Sequence, residues 1–181
     1  MSAPQDRFAG RAIPDPGFAG DRGEVAPEVR DALARHAAGE AGAAATLAVL
    51  QHARVLVPVV AVADEVEVDE HGLAHDKSSD MAAVLMRGRD GRLALLAFTG
   101  TAALQAWDPA ARPVPVSLRD AARAALQDDA AAVVLDVAGP ATYVVQGADL
   151  EALAAGLLLA FAGDRAVWVA PDDSRPGDEV G

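Results

Sequence analysis

Met81-Ala-Ala-Val-Leu-Met-Arg-Gly-Arg-Asp-Gly-Arg-Leu-Ala-Leu-Leu-Ala-Phe98 holds two apolar runs joined by a polar turn. The runs are Met81–Met86 and Leu93–Phe98, and the Asp90-Gly91 pair between them supplies the positive φ that a tight hairpin requires. An antiparallel strand pair is predicted here, and the other elements arrange around it. Upstream, the β-branched run Arg54–Ala63 reads as a strand, with Pro58 placing it at a sheet edge or a bulge. Downstream, Ala131–Val137 and Thr142–Val145 read as a second hairpin about Gly139-Pro140, and Val114–Val116 and Ala166–Val169 as short strands.

Helical signals alternate with these strands. Pro27 suits a first helical position, Val29, Leu33 and His36 make one apolar stripe, and Gly39 stops it. Ala43–His52 reads as a helix with Leu47 and Leu50 turned inward. Thr99 or Thr101 caps a short helix over Ala102–Ala106, and Ser117 caps Leu118–Gln127 with Asp120 in its first turn. Asp149–Ala162, which contains the most apolar run of the chain, reads as the last helix. The predicted fold class is α+β, a mainly antiparallel sheet built from hairpins with helices packed on it, in a single domain. Residues 1–25 read as a flexible tail, 26–170 as the domain and 171–181 as an acidic tail.

Composition removes whole classes of function. The 181 residues carry 15 Lys+Arg against 27 Asp+Glu, a net charge of −12, with Lys77 the one lysine. Nucleic-acid binding needs clustered basic side chains, so no nucleic-acid partner is expected. Without cysteine there is no disulfide framework, thiolate nucleophile or Cys-ligated zinc. Met1–Gly10 lacks the basic start and apolar stretch of a secretory signal. Leu150–Ala162 falls short of the ~20 residues that span a bilayer. No membrane association is expected, and the location is read as cytoplasmic.

Half of the net charge falls in residues 64–80, where seven acids face Lys77 alone. Hard cations favour oxygen ligands, but an EF-hand loop counted from Asp64 would put Asp69 where glycine belongs and His75 where glutamate belongs. Glu65, Glu67 and Asp69 alternate with Val66 and Val68, the pattern of a strand with one wet face. His71 and His75 have helical zinc spacing, yet Gly72 lies between them and no glutamate follows His71. Asp76 before Lys77 spoils a phosphate loop, and no Gly-x-Gly-x-x-Gly follows a strand. No hydroxyl among Ser78, Ser79, Thr99, Thr101, Ser117 and Thr142 sits in a nucleophile elbow. No metal and no cofactor are expected.

Phe98–Pro115 is the richest stretch, with Trp107-Asp108-Pro109 and Arg112-Pro113 close together. Aromatic and arginine side chains are the strongest interface anchors. Taken with Arg54-Val-Leu-Val-Pro58-Val and Lys77-Ser78-Ser79-Asp80-Met81 before it, this stretch resembles the N-terminal domain of the SseB family, of the actinobacterial type. The resemblance covers roughly residues 28–162 and rests on the order of these pieces. It implies no catalytic residue and no cofactor. A sulfurtransferase role would need a persulfide-forming cysteine, which the chain lacks.

The leading expectation is a non-catalytic protein-interaction module that binds an unknown protein partner or a second copy of itself. Its contact residues are read as Trp107, Asp108 and Arg112, with Trp107 as anchor. The alternative is a hydrolase or small-ligand-binding protein with a site at loop ends of the sheet, using Asp80, Arg112 and Thr99.

Overall fold

The computed structural model describes Phe18, residues 20–61 and residues 81–171, which form five helices and nine strands. The acidic run with His71, His75, Lys77 and Asp80 lies outside the described residues, as do most of the N-terminal segment and residues 172–181.

Strand β1 (Arg54–Ala61) pairs along one side with β5 (Arg112–Ser117), from Arg54 opposite Ser117 to Val59 opposite Arg112. Its other side meets two partners in succession. Leu56 and Phe98 exchange both backbone hydrogen bonds, at 2.7 and 2.9 Å, which joins β1 to the end of β4 (Leu93–Ala97). Beyond that bridge the strands diverge. Into the fork go β2 (Met81–Ala83), paired with β1, and β3 (Leu85–Arg87), paired with β4. Val84 is the apex: its N–H donates to the Pro58 carbonyl and its own carbonyl accepts from Leu96, both at 3.2 Å.

Pro58 therefore lies inside the sheet, which corrects the edge position read from sequence. Leu56 turns both polar backbone groups toward Phe98, so strand alternation points the nitrogen of Pro58 into the same fork, where only its carbonyl is used. Pro115 and Pro113 stand opposite Leu56 and Pro58. Their missing N–H groups consequently fall on the outer edge of β5, and that edge is closed to an added strand.

The predicted hairpin is β3–β4, closed by Gly88 N–H to Arg92 O at 2.8 Å, with Gly91 at φ 81°. The apolar run before it is longer than one strand and bends at Val84. β4 then runs parallel to β6 (Ala132–Leu135), and β6 pairs antiparallel with β7 (Tyr143–Gln146), the second predicted hairpin. The fold is α+β with mostly antiparallel pairing. The β4–β6 pair is the one parallel pair among the described residues.

Both faces of β4 and β6 are covered, so these strands read as unbroken apolar runs. One face carries Leu95, Ala97, Val133 and Leu135 under α1 (Pro27–Ala37), α2 (Ala43–Leu50), α4 (Leu118–Gln127) and α5 (Ala148–Ala154). The other carries Leu96, Phe98 and Val134 under Leu104 of α3 (Thr101–Trp107). Ser117 caps α4 as predicted, its hydroxyl oxygen accepting from Asp120 N–H at 3.0 Å. At α3 the expected threonine cap is absent: Gly100 is the N-cap, and Thr99 is engaged elsewhere.

The last predicted helix is corrected as well. It stops at Ala154, and Leu158–Ala162 is strand β8, paired with β9 (Arg165–Val169). Gly156, at φ 83°, ends α5: its N–H reaches Leu153 O and that of Leu157 reaches Ala152 O, each at 3.0 Å. That double closure needs a left-handed residue, which glycine adopts without steric cost. Buried Gln51 then holds β8 as a neighbouring strand would. Its Oε1 accepts from Leu159 N–H at 2.7 Å and its Nε2 donates to Leu159 O at 3.0 Å.

Candidate functional site

β4 and β6 end side by side, and their chains depart on different courses. Outside the carboxyl ends of such parallel strands a crevice opens, a recurrent place for ligands. Here it is a cleft of about 970 Å³. Its walls are α1, the segment Arg22–Val25, one side of α3 and the turn Ala138–Ala141. Ala34, Ala37, Ala102, Ala103, Ala106, Ala138 and Ala141 make those walls smooth and apolar. The small side chains of these seven alanines leave the hollow open.

The segment before α1 is fastened by β1. The Arg54 guanidinium meets both carboxylate oxygens of Asp21, at 2.7 and 3.0 Å. It also donates to Glu24 O at 2.6 Å and to Thr99 O at 3.0 Å. Gly23 O accepts from Thr101 N–H at 2.7 Å. A side chain on Gly23 would collide with the Thr101 hydroxyl, and its φ of 73° is left-handed, so this close approach requires glycine.

Asp136 lies in the cleft at the end of β6, only 5% exposed. Its carboxylate accepts from Thr99 N–H at 2.8 Å and from the Thr99 hydroxyl at 2.6 Å. Its backbone N–H donates to Ala97 O at 3.0 Å, and its carbonyl accepts from Gly139 N–H at 2.8 Å and from the Thr142 hydroxyl at 3.1 Å. With a φ of 52° it is one of two non-glycine residues in the left-handed region among the described residues. Aspartate tolerates that region better than most residues, and the five hydrogen bonds hold it there. Burial pushes its carboxyl above the ordinary 3.8, while the two Thr99 hydrogen bonds pull the other way. No basic side chain among the described residues forms an ion pair with it.

A second perturbed group stands behind α1. Burial, with the charge of Asp149 adding to it, pushes the Tyr143 hydroxyl up to about 12. That hydroxyl donates to Ala43 O at 2.9 Å, and the His36 ring meets the tyrosine edge-on at 5.0 Å. Both contacts lock α1 and α2 to the sheet.

Of the contact and site residues read from sequence, Thr99 is in the cleft, whereas Trp107, Asp108 and Arg112 are not. Trp107 ends α3, half-buried, with its ring 5.6 Å from that of Phe98. Asp108 follows it, and its carboxylate accepts from Ala110 N–H at 2.8 Å. Arg112 is exposed at the start of β5. Asp80 lies outside the described residues. Sequence reading missed Asp136. Its local signal is an aspartate closing a β-branched run, three residues before Gly139.

Among the described residues no group of three or more histidines or acids is placed to hold a metal, and no helix is long and apolar enough to cross a membrane. Fold and cleft together define an α+β domain with a ligand-sized hollow at the end of its parallel strand pair. The chain belongs to the SseB family: the family model for the SseB protein N-terminal domain matches residues 29–152, from α1 to α5, including Thr99 and Asp136. No curated protein and no solved structure matches the chain.

Proposed function

We propose that this SseB-family domain is a non-catalytic cytoplasmic binding module that takes a small organic molecule in the cleft beside Asp136. The observation that carries this reading is a buried carboxylate, fixed by Thr99, within an apolar cleft of ligand size. Small-molecule sites combine apolar walls with a few placed polar groups, and strained backbone gathers at such sites. Binding is favoured over turnover because the described lining offers one fixed, buried carboxylate, with Glu24 exposed to water, and no histidine, serine or lysine to work with it.

A thermal-shift screen of small organic fragments on wild type and Ala34→Trp tests the reading. Ala34 lines the cleft from the exposed side of α1, so tryptophan there fills the hollow without entering the core. A ligand at tenfold excess over its Kd is expected to raise the wild-type midpoint by about 3–5 °C. The same ligand should not move the midpoint of Ala34→Trp. Hits that shift both proteins alike, or no hits at all, would contradict a site in the cleft.

A second reading, a protein partner at Trp107, Asp108 and Arg112, is favoured by one observation. Arg112, Pro113 and Val114 are exposed in a row on β5, next in the chain to the Trp107-Asp108 turn. Because the prolines close that edge, such a partner would dock through side chains and not by adding a strand. Affinity capture is then expected to lose the partner with Arg112→Ala and retain it with Ala34→Trp. The reverse pattern would place the contact at the cleft.

A further inference from the structure

From the cleft reading we infer, going one step beyond it, that the ligand is an organic cation: a primary ammonium on an apolar body, with its charge set against Asp136. The carboxylate is nearly removed from water, and both its described hydrogen-bond donors come from one uncharged residue, Thr99. A buried carboxylate normally stands against a basic group. None of the described arginines forms such a pair; Arg54, the nearest in the chain's hydrogen-bond network, is committed to Asp21. An ammonium entering from the cleft supplies the missing charge.

Three further features agree with this choice. Each oxygen of Asp136 accepts one described hydrogen bond, which leaves a lone pair on each for an incoming N–H donor. The alanines of the lining offer contact to methylene or ring carbons, and of its two carboxylates Asp136 is buried and Glu24 exposed. At longer range the chain's net charge of −12 draws cations toward the protein and repels anions. Arg22, Glu24 and Arg30 also line the cleft but are exposed to water, whereas the Asp136 carboxylate is the buried charge among them.

The test uses three probes of one shape: 4-phenylbutylammonium, 4-phenylbutanol and 4-phenylbutyrate, titrated calorimetrically into wild type, Asp136→Asn and Ala34→Trp. Asparagine keeps the shape and both Thr99 hydrogen bonds while removing the charge. The ammonium is expected to bind wild type at least tenfold more tightly than the alcohol, with the butyrate weakest. Asp136→Asn should bring the ammonium down to the level of the alcohol, and Ala34→Trp should abolish binding of both. If alcohol and ammonium bind wild type equally and both are lost in Ala34→Trp, the cation assignment is overturned while the cleft reading stands. Ammonium binding that survives in Ala34→Trp or keeps its advantage in Asp136→Asn belongs to the acidic surface, and also overturns the assignment. Failure of all three probes overturns it too, and the fragment screen then judges the cleft separately.

Discussion

Alanine at Asp136 is expected to lower the unfolding free energy by roughly 2–4 kcal/mol, whereas asparagine leaves it level or raises it. Alanine strips the partners from a buried N–H and a buried hydroxyl of Thr99 and leaves a residue without a polar side chain at a φ of 52°. Asparagine preserves both hydrogen bonds, because the threonine hydroxyl can rotate to accept from the new amide, and it removes the cost of a buried charge. Denaturant unfolding of the three proteins at pH 7 measures both differences. Equal losses for alanine and asparagine would show that the charge itself is structural.

The same pair of proteins carries a pH signature. The folded-state carboxyl titrates above its unfolded value of 3.8, so the folded protein binds more protons between those two points. Stability contributed by this group is full below 3.8 and is lost as the pH rises through the folded value. Acidification from pH 7 toward pH 4 should therefore improve wild type relative to Asp136→Asn. A constant difference, or one that moves the other way, would contradict a desolvated carboxylate.

Phe98→Ala is the second large effect, expected to cost roughly 3–5 kcal/mol. Phe98 is fully buried, and its ring supports Trp107 at the end of α3. Its backbone bridges Leu56 across the fork of the sheet. It also immediately precedes Thr99, so the void would open beneath one wall of the cleft. Equilibrium unfolding followed by tryptophan fluorescence reads the loss. A cost under about 1 kcal/mol, typical of a surface change, would mean that α3 is not anchored through this ring.

What could be read from sequence was what depends on near neighbours. The β3–β4 hairpin was legible because Asp90-Gly91 encodes its own turn, and Ser117 because a cap acts three residues away. Leu150–Ala162 misled because Leu150 and Leu153 keep helical spacing and the apolar run continues past them. The stop lies in Gly156, and the strand after it is held by Gln51, 108 residues earlier. Pro58 misled because a proline interior to a sheet is tolerable only where a fork leaves no acceptor for its nitrogen, and that fork forms from distant strands. Asp136 was hidden among 27 acids, since the partner that distinguishes it, Thr99, is 37 residues away.

The most direct measurement of the central claim is a map of backbone amide shifts on titrating 4-phenylbutylammonium into the ¹⁵N-labelled protein. Shifts concentrated at Thr99, Gly100, Asp136 and Gly139, saturating together, are expected. Shifts centred on Trp107 to Val114, or small unsaturated shifts spread over the acidic surface, would contradict a ligand site in the cleft.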